Sequence, residues 1–153
     1  MNFWNRKNIL IISPEFWGVN FVSKHHYSIE LSRQGGKVYF LNPPKDKNIT
    51  FNLHKIDDYD SLYEINYPLS VRGLNKLPFI LSDYINKHTI RKIMKLIPQL
   101  DIVWSFDPFR FQNLKLFNSK HSIYYCADPH QSSNERIIAK SADFILTPSR
   151  LLA

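Results

Sequence analysis

The chain has 153 residues, of which 44% are hydrophobic and 22% charged, so it is long enough to bury one core and too apolar to stay disordered. Its single cysteine, Cys126, excludes an internal disulfide and favours a reducing, cytoplasmic compartment. No run approaches the ~20 apolar residues of a membrane-spanning helix, and the formal charge of +7 favours anionic partners such as nucleic acid, lipid headgroups or phosphorylated small molecules.

The first part of the chain has the pattern of a β-α-β unit. Continuous apolar runs predict buried strands over residues 8–13 and 37–42, each closed by a proline. A helix is expected between them over residues 20–34, because Gly35 and Gly36 supply a C-terminal stop.

The rest of the chain continues the alternation of strands and helices. Residues 45–75 show little pattern apart from a candidate strand over residues 62–67. The clearest helix is expected over residues 78–97, where Ile90 and Ile93 belong to an apolar stripe at helical spacing. The later elements are a strand over 101–106, a short helix over 109–117 and a strand over 121–126. They are followed by a helix that Ser132 or Ser133 could cap and that continues to residue 142, a strand over 143–147 and a helix capped by Ser149. This alternation predicts an α/β fold with a doubly wound, mainly parallel, Rossmann-like sheet.

The side chains suited to chemistry lie in loops that follow predicted strands. In an open parallel sheet, ligands bind beyond the carboxyl ends of the strands. That rule selects Glu15 after the first strand, Asp107 after the fourth, and Asp128 and His130 after the fifth. The first loop contains one glycine, Gly18, so the G-x-G-x-x-G fingerprint and the P-loop are both absent. We therefore expect no nicotinamide or flavin cofactor and no ATP bound through a P-loop.

Asp128 and His130 form the candidate catalytic pair. They stand two residues apart on one strand-to-helix loop, so both side chains can face the same cleft. In one interpretation, one of them takes the proton from an attacking hydroxyl group. In the other, Asp128 caps the loop backbone and His130 is simply exposed to solvent.

His25 and His26 resemble a metal pair, but we expect no metal there. Adjacent residues on a helix point about 100° apart and cannot easily share one ion. Because their helix begins at the cleft edge, His25 is a candidate substrate-binding residue. A purely structural role for both histidines is the alternative.

One face of the helix over residues 78–97 is basic. The residues of this face are His88, Arg91, Lys92 and Lys95, about 200° round the helix from the apolar stripe. The face is either an ordinary solvated surface or a site that attaches the protein to an anionic membrane surface.

Several segments share their order and spacing with a known family. They are the strand and Trp-containing loop over residues 9–17, the L-x-x-x-G helix end within residues 26–35, the run into Asn-Pro-Pro over residues 38–44, and the strand ends at 124–128 and 141–149. Together they resemble the N-terminal half of a GT-B glycosyltransferase, and in particular the bacterial family 4-type (group 1) enzymes.

The resemblance implies that residues 1–153 are a single N-terminal, acceptor-side domain, inactive alone, whose C-terminal partner domain would bind a nucleotide-sugar donor. The enzyme would transfer the sugar to a hydroxyl group of a glycan or lipid-linked acceptor, without a metal or other cofactor. Asp128 or His130 would act as the base or orient the acceptor, and Trp17 and Gly18 would line the loop over the donor phosphate. The other expected substrate-binding residues are Glu15, Asn20, His25 and Asp107.

Two other classes of protein compete with this interpretation. A non-catalytic, flavodoxin-like binding module has the same expected fold. Nucleic-acid binding is suggested by the charge, but the sequence contains no helix-turn-helix, RNP or zinc pattern, and we do not expect it.

Overall fold

The computed structural model of the protein describes residues 2–46, 48–128, 130 and 132–148. Within them lie seven strands, three α-helices and two short 3-10 turns. The strands are β1 (Asn8–Ile12), β2 (Lys37–Leu41), β3 (Asn52–Lys55), β4 (Leu62–Asn66), β5 (Ile102–Ser105), β6 (His121–Tyr125) and β7 (Phe144–Leu146). The α-helices are α1 (Ser23–Arg33), α2 (Phe79–Met94) and α3 (Ser133–Ser141), and the 3-10 turns span Leu74–Lys76 and Leu114–Phe117.

The strands form one sheet in the order β3-β4-β2-β1-β5-β6-β7. All neighbouring strands are parallel except β3 and β4, which are antiparallel. The chain runs from β1 to one side through β2 and later returns to place β5 on the other side of β1. The gap between the carboxyl ends of β1 and β5 is therefore the switch point of the sheet, where open α/β folds bind ligands.

Helices cover both faces of this sheet. Leu10 and Ile12 of β1 point into a core that includes Ile90 and Ile93 of α2. The alternate residues of β1 point into a second core, together with Ile29 of α1. Each fully buried aliphatic side chain contributes roughly 1.5–3 kcal/mol. The predicted doubly wound, Rossmann-like α/β fold is confirmed.

Most predicted elements are present, with ends shifted by a few residues. The helix expected from residue 20 begins only at Ser23, and the helix expected to reach residue 97 ends at Met94. Of the two serines that could cap α3, Ser132 is the N-cap, because its hydroxyl accepts a hydrogen bond from the backbone N–H of Glu135. The helix expected from Ser149 lies outside the described residues.

The short helix predicted over residues 109–117 is wrong, because only its last part forms a 3-10 turn. A continuous helix would need the Leu114 N–H to donate to the Arg110 carbonyl. Instead that carbonyl accepts from Asn86 Nδ2 at 2.9 Å, and the Leu114 N–H donates to Ser141 Oγ at 3.0 Å. Contacts with α2 and α3 thus replace the local helical bond.

Among the described helices, none has the length and apolar character needed to cross a lipid bilayer.

Candidate functional site

Arg110 connects the ends of the central strands at the switch point. Its guanidinium group donates from Nη2 to the Ser13 carbonyl and from Nη1 to the Asn42 carbonyl, both at 2.7 Å. Its Nε lies 3.1 Å from Asp107 Oδ2, an ion-pair contact without the alignment of a hydrogen bond. The two side chains are only 11% and 10% exposed. One buried cation therefore holds together the chain segments that leave β1, β2 and β5.

A pocket of about 280 Å³ opens beside Arg110. Its walls come from the loops that follow β2, β4 and β5 and from the inner side of α2. The described residues that line it are Pro43, Pro44, Tyr67, Leu69, Ser70, Val71, Gly73, Leu74, Asn75, Asn86, Thr89, Asp107, Phe109, Arg110 and Phe111. The pocket thus lies at the carboxyl edge of the parallel strands, as the fold class predicts.

Neutral polar groups supply most of the hydrogen-bonding capacity of this pocket. The Tyr67 hydroxyl accepts from Arg110 Nη1 at 2.9 Å, and burial raises the pKa of Tyr67 although the neighbouring guanidinium opposes the shift. The hydroxyl therefore keeps its own proton and can donate it to a ligand. The hydroxyls of Ser70 and Thr89 lie 3.0 Å apart and add a second donor-acceptor group to the wall.

Asp107 is the one carboxylate among the described residues that line the pocket. Its Oδ1 accepts from the Phe109 N–H at 2.9 Å, and its Oδ2 faces Arg110. Both oxygens are thus engaged with the loop that carries them. Asp107 is placed to shape the pocket rather than to remove a proton from a substrate.

The loop after β1 lies on the other side of the sheet edge. The Trp17 ring packs 5.0 Å from the Phe40 ring and 5.4 Å from the His25 ring, within the core beneath α1. The Glu15 carboxylate forms an ion pair with Lys24. Of the other two residues expected to bind substrate, Gly18 is exposed at a φ of +83° and Asn20 is exposed. The structure does not bring Glu15, Trp17, Gly18 or Asn20 into the pocket.

His25 is enclosed rather than directed into an open cleft. Its side chain is fully buried. Nδ1 accepts from the Val22 N–H at 3.2 Å, and Nε2 donates to the Phe16 carbonyl at 3.1 Å. Burial lowers the pKa of His25, so the neutral ring is favoured. In this position His25 caps the start of α1 and supports the preceding loop.

The loop after β6 brings His130 against Phe109, but His130 itself is not among the described residues that line the pocket. The His130 ring lies 5.0 Å from the ring of Phe109, which lines the pocket. The His130 N–H donates to Glu135 Oε2 at 2.9 Å, while Glu135 Oε1 accepts from the Tyr124 hydroxyl and from Cys126 Sγ, both at 3.1 Å. Glu135 therefore anchors this loop to β6 and α3.

Asp128 and the basic residues of α2 lie at the surface. Asp128 is exposed on the same loop as His130, but it is not among the residues that line the pocket. His88, Arg91, Lys92 and Lys95 are exposed as expected. Among the described residues, no group of three or more His, Cys, Asp or Glu side chains is placed to hold a metal ion.

Sequence reasoning missed Arg110, Asn42 and Tyr67 as site residues. Asn42 receives the Trp17 N–H on its Oδ1 at 2.8 Å and donates from Nδ2 to Asn66 Oδ1 at 2.9 Å. The positions of the two asparagines were a signal, because Asn42 directly follows β2 and Asn66 is the last residue of β4. For Arg110 the signal was weaker: a cation between two phenylalanines in a loop at the sheet edge.

Comparison of the chain with models of protein families and with curated proteins gives no match.

Proposed function

We propose that this chain is the acceptor-binding lobe of a glycosyltransferase. In this proposal the pocket beside Arg110 holds a hydroxyl-bearing acceptor, and a second lobe brings a nucleotide-sugar donor to it. The observation that carries the proposal is the composition of the pocket wall at the switch point of the sheet. The sequence segments that resemble the N-terminal half of GT-B enzymes agree with this assignment.

The wall of the pocket suits a sugar ring or another polyol. Tyr67, Ser70 and Thr89 offer hydroxyl groups that donate and accept, which matches the hydrogen-bonding pattern of a carbohydrate. Phe109 and Phe111 add apolar surface against which the less polar face of a sugar can pack. The net charge of the Asp107–Arg110 pair is zero, so the wall does not select strongly for a charged ligand.

The transfer forms one bond and breaks one at the anomeric carbon, and it moves one proton from the acceptor to a base. The acceptor oxygen attacks the anomeric carbon of the donor sugar, the bond from that carbon to the nucleotide diphosphate breaks, and the acceptor proton must leave. His130 is the candidate to receive that proton, because its ring packs against Phe109 of the pocket wall. Asp107 is less suited, since Arg110 and the Phe109 N–H occupy its oxygens.

Binding of simple sugars tests the proposal directly. Saturation-transfer NMR with the methyl glycosides of glucose, galactose, mannose and rhamnose should show binding of at least one of them. Thr89→Val removes a hydroxyl from the pocket wall at nearly constant volume and should weaken that binding by about five- to ten-fold, the value of one hydrogen bond. Thr50→Val, at an exposed position, is the matched control.

Two results would contradict the proposal. One is the absence of binding for every sugar tested, and the other is an equal effect of Thr89→Val and Thr50→Val. Turnover of a nucleotide sugar by this chain alone would contradict the assignment of donor binding to a second lobe.

A non-catalytic binding module is the second candidate. It is favoured by the engagement of Asp107, because the carboxylate of the pocket is already committed to Arg110 and to the loop backbone. Measurement of both sugar binding and sugar transfer decides between the two. The module would be supported if the protein binds sugar, transfers it to no acceptor, and binds it equally well after His130→Asn.

A further inference from the structure

The first turn of α2 exposes an unusual amount of apolar surface. Ile80 is 84% exposed and Tyr84 is 74% exposed, and Phe79 and Leu81 beside them are also exposed. Isolated exposed apolar residues are common, but a group within two turns of one helix marks a contact surface. We call these four residues the apolar turn.

The same face of α2 continues as a row of cations. Ile80, Tyr84, Lys87, Arg91 and Lys95 follow the spacing i, i+4, i+7, i+11 and i+15, which places them within roughly 80° of arc. All five are exposed, and the opposite face of the helix carries its buried residues. The outward face is therefore apolar at its N-terminal end and cationic over the rest of its length.

Little negative charge opposes this face. The one acidic residue of α2 is Asp83, whose Oδ1 accepts from Asn113 Nδ2 at 3.2 Å. A groove of about 530 Å³ runs along the C-terminal half of the helix, and its lining includes His88, Arg91 and Lys95. Its cationic lining suits phosphate groups.

We propose that α2 docks the protein onto an anionic phospholipid bilayer. The apolar turn enters the interface between headgroups and acyl chains, and the cations that follow it contact lipid phosphates. Helices that lie in the membrane interface combine these two features on one face. Each Lys or Arg near an anionic surface contributes about a five-fold increase in binding.

A second copy of this chain fits the face less well than a bilayer. In a symmetric dimer the same patch meets itself, so Lys87, Arg91 and Lys95 would face the cations of the partner. Like charges placed opposite one another across an interface oppose association. A lipid surface instead supplies both the apolar layer and the negative charge.

Docking through α2 also places the pocket close to the membrane. Leu74 and Asn75, which line the pocket, precede Phe79 by only a few residues, and Thr89 lines it from α2 itself. This inference goes beyond the proposed sugar binding and depends only on the outward face of α2.

Vesicle co-sedimentation with matched variants tests the docking surface. The protein should bind vesicles of an equal mixture of phosphatidylcholine and phosphatidylglycerol and should bind pure phosphatidylcholine much more weakly. Ile80→Ser/Tyr84→Ser should weaken binding about ten-fold. Lys87→Gln/Arg91→Gln/Lys95→Gln should weaken it roughly 100-fold, and more at low salt than at high salt. All five substituted residues are exposed, so circular dichroism should show an unchanged fold.

The controls remove the same chemistry elsewhere on the surface. Val19→Ser/Phe144→Ser removes two exposed apolar side chains, and Arg33→Gln/Lys55→Gln/Lys140→Gln removes three exposed charges. Neither set should change binding by more than about two-fold. Equal binding to both kinds of vesicle, or equal losses in test and control sets, would overturn the proposal. So would a dimer in sedimentation velocity that Ile80→Ser/Tyr84→Ser separates while vesicle binding stays unchanged.

Discussion

At the carboxyl edge of the sheet, the side covered by α1 and the side covered by α2 contain similar aromatic residues, but these residues pack differently. On the α1 side, Trp17 and His25 fill the space above β2, and the loop after β1 closes over them. On the α2 side, Tyr67 and Phe111 are equally aromatic, but the loops that follow β4 and β5 leave a pocket between them.

The difference lies in where the polar atoms point. Both ring nitrogens of His25 are engaged by the backbone of its own loop. Tyr67 and Thr89 instead belong to the residues that line the pocket, although the hydroxyl of each has a partner within the protein. Substitutions on the α1 side should therefore affect stability alone, while substitutions on the α2 side should affect stability and ligand binding.

Arg110 joins the two sides, and its loss should have the largest effect. Arg110→Met keeps most of the side-chain volume but leaves Asp107 buried without its cation and frees the Ser13 and Asn42 carbonyls. We expect the free energy of unfolding to fall by about 3–5 kcal/mol, measured by urea denaturation. Arg33→Met, on the exposed surface of α1, should change it by less than about 0.5 kcal/mol.

The partner of Arg110 provides a second control. In Arg110→Met/Asp107→Leu neither charge remains buried, so part of the lost stability should return. The loss of unfolding free energy in the double variant should be smaller than the sum of the losses in the two single variants. A larger loss would contradict the account of Arg110 as a buried cation compensated by Asp107.

Loss of the Trp17 ring should have the next largest effect on stability, and it tests whether the two sides act independently. Trp17→Ala removes a ring that contacts Phe40, His25 and Tyr59, so we expect a loss of about 3 kcal/mol in the free energy of unfolding. Trp17→Phe retains much of the packing and should cost clearly less. Any sugar affinity measured well below the unfolding temperature should be the same in both variants. A large loss of affinity in the folded Trp17→Ala protein would show that the two sides are coupled.

The fold could be predicted where burial is complete and local. The strands β1 and β2 are apolar after their first residue and end within one residue of the predicted limits. β3 was missed because Asn52–Lys55 is polar and half exposed, and it is a strand only through its antiparallel pairing with β4. The helix predicted over residues 109–117 failed because Asn86 and Ser141, both distant in sequence, take its hydrogen bonds.

The candidate site could be predicted in position but not in composition. The rule that ligands bind beyond strand ends identified Asp107 and the loop that carries His130. It did not identify Arg110, because the importance of that residue depends on which loops meet at the switch point. Local pattern does not specify strand order, so the meeting of residues 13, 42 and 107 around one guanidinium was not readable from the sequence.

Protonation of His25 should have the smallest effect on stability. The pH dependence of the free energy of unfolding therefore tests whether the α1 side is closed to water. Burial lowers the pKa of His25 below the 6.5 of a free histidine. As the pH falls below about 6.5, the unfolded chain therefore binds a proton that the folded protein resists. The contribution of His25 to stability is fully present above that pH and decreases toward the lower pKa of the folded state, with a slope of at most ~1.4 kcal/mol per pH unit.

Protonation would place an N–H of the His25 ring against the Val22 N–H that it now accepts from, so the start of α1 should loosen first. Urea denaturation of the parent protein between about pH 7 and 5, beside His25→Gln and His26→Gln, isolates this effect, since His26 is the exposed neighbour on the same helix. The pH-dependent difference between the parent and His25→Gln curves is the part due to His25, and His26→Gln is the control for the loss of an exposed histidine. If those curves are parallel over the whole range, the buried ring does not resist protonation, and the α1 side is more open to water than its packing against Trp17 and Phe40 indicates.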